Sequence, residues 1–214
     1  MTARIHQDQP LHVWGIPIEQ AHGAVIALHG RGGNPLDMQN LTRTLHAPHL
    51  SFYAPTAAGY TWYPQRFIAP NSANEPHLSS ALDTIDQVIA FLVARGIPHE
   101  KMILLGFSQG ACLSVEYVAR HPRRYGGVAI LSGGLIGETL DRSRYQGDLS
   151  ATPILNGCGD QDFHIPLQRV QATTTILRGL GATVDERIYP QMGHTVHADE
   201  LSAVQSMLDH LRRT

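Results

Sequence analysis

The sequence predicts an α/β fold: a mostly parallel sheet with helices on both faces. Two observations carry the prediction. Short apolar runs of strand length alternate along the chain with longer segments whose apolar residues recur at helical spacing. The strand runs are apolar throughout rather than alternating, the pattern of strands covered on both sides.

The elements follow in order. Residues 24–29 form an apolar run that ends in glycines and reads as a buried strand feeding a tight turn, and 51–54 repeat the pattern ahead of Pro55. Leu78, Ala81, Leu82, Ile85, Val88, Ile89 and Leu92 mark one face of a helix, with Gly96 placed to cap its end. Residues 102–107 are a further buried strand, followed after Ser108 by a helix whose inner face is Ala111, Val115, Val118 and Ala119 and which Pro122 stops. Two more strands are expected over 128–131 and 153–156. Pro166 can open a helix that carries Leu167, Val170 and Leu177 up to Gly179. A last strand spans 183–189, and Leu201, Val204, Leu208 and Leu211 stripe a last helix.

The bulk properties narrow the function. The 214 residues suit a single domain, 1–214. A hydrophobic fraction of 43% and a charged fraction of 16% are ordinary for a globular protein, and no apolar stretch reaches the roughly 20 residues of a membrane span. A formal charge of −2 provides no basic field for nucleic acid. The opening MTARIHQDQP lacks the apolar core of a secretory signal, so a cytoplasmic location is expected, with no stable membrane association. Cys112 and Cys158 are the only cysteines and are expected to be free thiols; the 13 histidines are scattered, without metal-ligand spacing, so no metal is expected.

The chemistry is concentrated at Gly106-Phe107-Ser108-Gln109-Gly110, a G-x-S-x-G sequence between a predicted strand and a predicted helix. In that context the motif reads as the nucleophile elbow of α/β-hydrolases rather than an ordinary glycine-rich turn: a strained turn exposes the serine hydroxyl, and small neighbours let strand and helix approach. A serine needs a base to take its proton, and the base needs a carboxylate to orient it. On this fold the chain order is Ser, then acid, then His. Asp160 and Asp162 follow the 153–156 strand, and His194 follows the 183–189 strand, so acid and base both fall at strand C-terminal ends. His164 and His197 are the alternatives to His194. The loop His29-Gly30-Arg31-Gly32-Gly33 follows the first strand, where this fold supplies a second oxyanion donor, so the backbone N–H groups of Arg31 and Gln109 are the expected pair.

Two connections, 55–77 and 133–151, are longer than structure alone requires, which usually signals function. The first carries Tyr60, Trp62, Tyr63, Phe67 and Ile68 among several prolines and is the candidate substrate wall, or else a homodimer contact. The expected pocket residues are Trp62, Tyr63, Phe67, Leu135, Phe163 and Met192.

With these pieces placed, the chain resembles the phospholipase/carboxylesterase family of α/β-hydrolases, which includes acyl-protein thioesterases and small bacterial esterases. The resemblance runs from Leu28-His29-Gly30 through Gly106-Phe107-Ser108-Gln109-Gly110-Ala111, Leu131-Ser132-Gly133-Gly134 and Asp162-Phe163-His164-Ile165-Pro166 to Met192-Gly193-His194. The family places its acid in G-x-x-D-x-x-V-P; residues 159–166 fit this with Ile165 for Val, which selects Asp162. The resemblance implies a fold without a separate cap domain, no cofactor, and a small-molecule ester substrate with a short or medium acyl chain. Thioester or lysophospholipid cleavage is the nearest alternative, and a non-catalytic binding module on the same scaffold is the alternative of another class. The chain has His29-Gly30-Arg31-Gly32-Gly33 and Trp62-Tyr63-Pro64 where the eukaryotic thioesterases have HGLGD and Trp-Phe-Asp. A bacterial-type esterase fits these differences better than protein depalmitoylation.

Overall fold

A computed structural model describes residues 3–213, so residues 1, 2 and 214 of the expected 1–214 domain lie outside the described residues. Seven strands form one sheet: β1 (Leu11–Gly15), β2 (Gly23–Leu28), β3 (Leu50–Pro55), β4 (Met102–Phe107), β5 (Gly127–Leu131), β6 (Pro153–Gly159) and β7 (Thr183–Tyr189). Their spatial order is β1-β3-β2-β4-β5-β6-β7. β1 runs antiparallel to β3, and every other neighbouring pair is parallel. Five helices accompany the sheet: α1 (Pro35–Thr42), α2 (His77–Val93), α3 (Gln109–Arg120), α4 (Leu167–Gly179) and α5 (Ala198–Arg213). This is the α/β-hydrolase arrangement the sequence predicts.

The all-apolar strands serve two cores at once. Within β2, Ala24, Ile26 and Leu28 pack into the cluster formed with α2, α3 and α4, whereas Val25 and Ala27 face the cluster completed by Met38 of α1 and Val204, Leu208 and Leu211 of α5. Side chains alternate faces along a strand, so a central strand with helices on both sides must be apolar at every position.

Two elements escape the sequence signals. β1 alternates exposed and half-buried residues at the sheet edge, with Leu11 and Val13 facing solvent, so no apolar run marks it. α1 has no apolar stripe; it is set by its start, where Asn34 accepts the Leu36 N–H at 2.8 Å and Asp37 accepts the Asn34 N–H at 2.8 Å, with Pro35 in the first turn. β6 also runs three residues beyond the expected 153–156. Gly157 and Gly159 read as turn residues, but they belong to the strand because neighbours fill the space where side chains would be: a Cβ on Gly157 would lie 2.0 Å from Glu200 Oε1, and one on Gly159 2.0 Å from the Met192 carbonyl oxygen. The long connections carry only short 3-10 turns, at Ala58–Tyr60, Asn71–Asn74 and Arg142–Arg144, so among the described residues neither builds a cap.

Candidate active site

The corner between β4 and α3 holds Ser108 at φ 55° and ψ −117°, a left-handed conformation that costs a non-glycine residue energy. The surrounding packing enforces it. A Cβ on Gly106 would lie 2.4 Å from the Gly110 carbonyl oxygen, and one on Gly110 would lie 2.0 Å from the Leu28 carbonyl oxygen. The glycines of G-x-S-x-G are thus required by strand–helix contact and by contact with β2.

Three loops at the C-terminal ends of parallel strands converge on this corner. His194, after β7, has Nε2 2.8 Å from Ser108 Oγ and Nδ1 2.6 Å from Asp162 Oδ2. Asp162, after β6, is buried, and its other oxygen accepts the N–H groups of His164 at 2.8 Å and Ile165 at 3.0 Å. Burial works to raise the Asp162 pKa, but the hydrogen bond from His194 and those two backbone N–H groups overcome it and hold the carboxyl below its usual value. The carboxylate is therefore ionised and aimed at Nδ1, which leaves Nε2 to face the serine.

The rival residues are occupied elsewhere. Asp160 accepts the Gln191 N–H at 2.7 Å and braces the loop that carries His194. His197 stands before α5, its N–H donating to Glu200 Oε2 at 2.6 Å and its ring stacked on Tyr189. His164 packs edge-on against His194, with ring centroids 4.8 Å apart, but does not bond Ser108.

The loop between β2 and α1 runs beside the serine, where a Cβ on Gly30 would lie 3.3 Å from Ser108 Cβ. The N–H groups of Arg31 and Gln109 have no hydrogen-bond acceptor among the described residues, whereas Gly32 and Gly33 donate to Tyr60 and Gly30. His29 organises this loop from within: buried, it bonds the Gly30 carbonyl at 2.8 Å through Nδ1, and its Nε2 accepts the Ala57 N–H at 3.1 Å. Burial lowers its pKa, in keeping with a neutral ring that both donates and accepts. The Arg31 guanidinium also has a place unforeseen in the sequence: it donates to the carbonyl oxygens of Tyr63 (2.9 Å), Pro64 (2.8 Å) and Gln65 (2.6 Å).

A cleft of about 390 Å³ opens over Ser108 and His194, lined also by Arg31, Tyr63, Phe67 and Cys112. Tyr63 and Phe67 therefore stand where the pocket was expected; four other residues do not. Trp62 is fully buried, with its indole N–H donating to the His29 carbonyl at 2.9 Å, so the polar end that would favour an exposed position is satisfied inside. Leu135 is fully buried in the core, its N–H and carbonyl tied to Thr173 and Arg169. Phe163 is 91% exposed, because the turn that aims the next two N–H groups at Asp162 directs the intervening side chain outward. Met192 accepts the Gln161 N–H through its carbonyl, tying the His194 loop to the loop after β6, and is not among the cleft residues. Among the described residues no group of His, Cys, Asp or Glu is placed to hold a metal ion, no helix is long and apolar enough to cross a membrane, and Cys112 and Cys158 are both free.

The sequence profile described as Phospholipase/Carboxylesterase matches residues 15–212. The chain belongs to the phospholipase/carboxylesterase family. It is similar to a structure of a phospholipase/carboxylesterase from Dyadobacter fermentans, with 40% identity, 94% of this chain and 97% of that one covered, and a TM-score of 0.91. Among curated relatives it is 30% identical to the probable carboxylesterase SOBER1-like of Arabidopsis thaliana over 65% of this chain and 53% of that protein. It is 32% identical to acyl-protein thioesterase 1 of Gibberella zeae over 53% of this chain and 49% of that protein. The chain thus spans about half the length of these two curated relatives.

Proposed function

We propose that the protein is a serine carboxylesterase that cleaves small esters through an acyl-enzyme. The observation that carries this reading is the unbroken chain Ser108–His194–Asp162, with contacts of 2.8 and 2.6 Å. His194 takes the Ser108 proton as Oγ attacks the ester carbonyl, and Asp162 stabilises the imidazolium that forms. The N–H groups of Arg31 and Gln109 receive the oxyanion, each such donor being worth about 3–4 kcal/mol in comparable sites. His194 then protonates the departing alcohol. Water, activated by the same imidazole, attacks the acyl-enzyme and releases the acid and Ser108.

Family membership and the likeness to carboxylesterases support ester cleavage, and the small open cleft supports short substrates. The test is Ser108→Ala, which should abolish hydrolysis of 4-nitrophenyl acetate and prevent labelling by a serine-directed fluorophosphonate. Retained turnover would refute the assignment. Thioesters fit the same machinery, and kcat/KM on a matched ester and thioester pair ranks the two.

A further inference from the structure

The charge around the cleft is one-sided. Its lining includes Arg31, Arg66, Gln65 and His164, and no Asp or Glu. Arg31 donates only to the neutral carbonyl groups of Tyr63, Pro64 and Gln65, so its charge is held in place without being neutralised. Arg66 is exposed, and its guanidinium makes no hydrogen bond or ion pair with the described residues. Behind Phe67 stands a third guanidinium, Arg169, 5.7 Å from the ring centroid, whose bonds again go to carbonyl groups, those of Leu135, Gly137 and Glu138. The buried carboxylate on that side, Glu116, is already bridged by Arg120 and Arg144. Asp162 is the carboxylate closest to the chemistry, and it is buried and taken up by His194 and two N–H groups.

A lone arginine on a surface is an ordinary solvated charge. Guanidinium groups gathered around one concave site, with no acid among its lining residues, instead focus a positive potential on whatever enters. The two arginines of the cleft divide the work. Arg31 is fixed by its carbonyl partners and supplies field, whereas Arg66 keeps its planar set of donors free for the paired hydrogen bonds that suit a carboxylate or phosphate. The lining also presents apolar groups, from Tyr63, Pro64, Phe67, Cys112 and Ile165, that can pack against the carbon skeleton of a ligand.

We propose that the preferred substrate is an ester whose acyl or alcohol part bears an anionic group, a carboxylate or phosphate, bound by Arg66 in the field of Arg31. This rests on the serine-esterase reading and names the substrate class for that site. The anion is bound as an ion, and the ester bond is cleaved some atoms away by Ser108.

The experiment measures kcat/KM on two matched pairs. One pair places the charge on the acyl side: 4-nitrophenyl hydrogen adipate against 4-nitrophenyl hexanoate. The other places it on the alcohol side: 4-acetoxybenzoate against its methyl ester. The wild-type protein should favour the charged member of at least one pair by about tenfold or more, and the preference should shrink at high salt. Arg66→Ala should erase that preference and Arg66→Glu should invert it. Because each result is a ratio on one variant, a general loss of folding or turnover cancels. Equal turnover of charged and neutral members in both pairs, or a preference that survives both substitutions, would overturn the proposal while leaving the esterase reading intact. No turnover of any of the four esters would overturn both.

Discussion

The side chain of Gln109 bolts the serine corner to the facing wall of the cleft: Oε1 accepts the Trp62 N–H at 2.9 Å, and Nε2 donates to the Tyr63 carbonyl at 2.8 Å. One residue thus offers its backbone N–H toward the proposed oxyanion position and uses its buried amide to position the loop that carries Tyr63 and Phe67.

Gln109→Ala retains the backbone N–H but leaves the buried Trp62 N–H without a partner and the Tyr63 carbonyl with Arg31 alone. At about 1–3 kcal/mol for the orphaned N–H, the loss should lower Tm by several degrees. It should also reduce kcat/KM as the 62–67 wall loosens. Thermal melts and steady-state kinetics on one preparation check both, and an unaltered Tm would mean that the loop is anchored by Arg31 alone.

Asp162 and Asp160 are separated by a single residue and should respond very differently to the same substitution. Asp162→Asn removes the carboxylate that orients and stabilises His194, so kcat should fall by about 10⁴-fold. Asp160→Asn keeps an oxygen for the Gln191 N–H and should cost less than about tenfold. Parallel kcat measurements decide the matter, and the opposite ranking would reassign the acid.

Glu200 introduces a dependence on pH. It is fully buried in α5, one oxygen accepts the His197 N–H and the other has no partner. Desolvation pushes its carboxyl from 4.5 up to about 7, against the opposing pull of the His197 N–H. A folded-state pKa above the unfolded one means that folding takes up a proton between these values. Stability contributed by the neutral carboxyl is therefore fully present below pH 4.5 and lost as pH rises through about 7. Glu200→Gln removes the ionisation, so its stability relative to wild type should improve from about pH 5 to about pH 8, by up to about 3 kcal/mol. Denaturant melts at both pH values measure the change; an equal difference at both would show that the carboxyl titrates at its ordinary value. Asp162 works in the opposite sense, since its lowered pKa stabilises the fold above 3.8 and the contribution fades below that.

The central elements were legible because burial on both faces imprints itself on every residue of a strand, as in Ala24 to Leu28, and because α2 carries a full apolar stripe. β1 was not legible, since an edge strand with one half-buried face needs no such run, and α1 was not, since it is set by a cap rather than by a stripe. Within the site, the spacing of Ser108 and His194 from their strands could be read directly, because a strained corner and a strand-end loop each demand particular local residues. The pocket was harder. Apolar character marks Trp62, Leu135 and Phe67 alike and carries no information on which of them turns inward to the core and which toward the cleft.

The sequence by itself determined the order of the strands and helices other than β1 and α1, the serine corner and the chain order of the proposed nucleophile, acid and base. These follow from local constraints: periodicity, the glycines that let α3 cross β4, and loops placed after strands. Only the tertiary structure decided what depends on side chains meeting across the fold. It placed Asp162 at 2.6 Å from His194 and gave Asp160 to Gln191. It buried Trp62, exposed Phe163, and brought Arg31 and Arg66 to one cleft with no carboxylate among its lining residues. Ser108 and His194 alone lie 86 positions apart along the chain, and no local pattern encodes which side chains the folded sheet brings together.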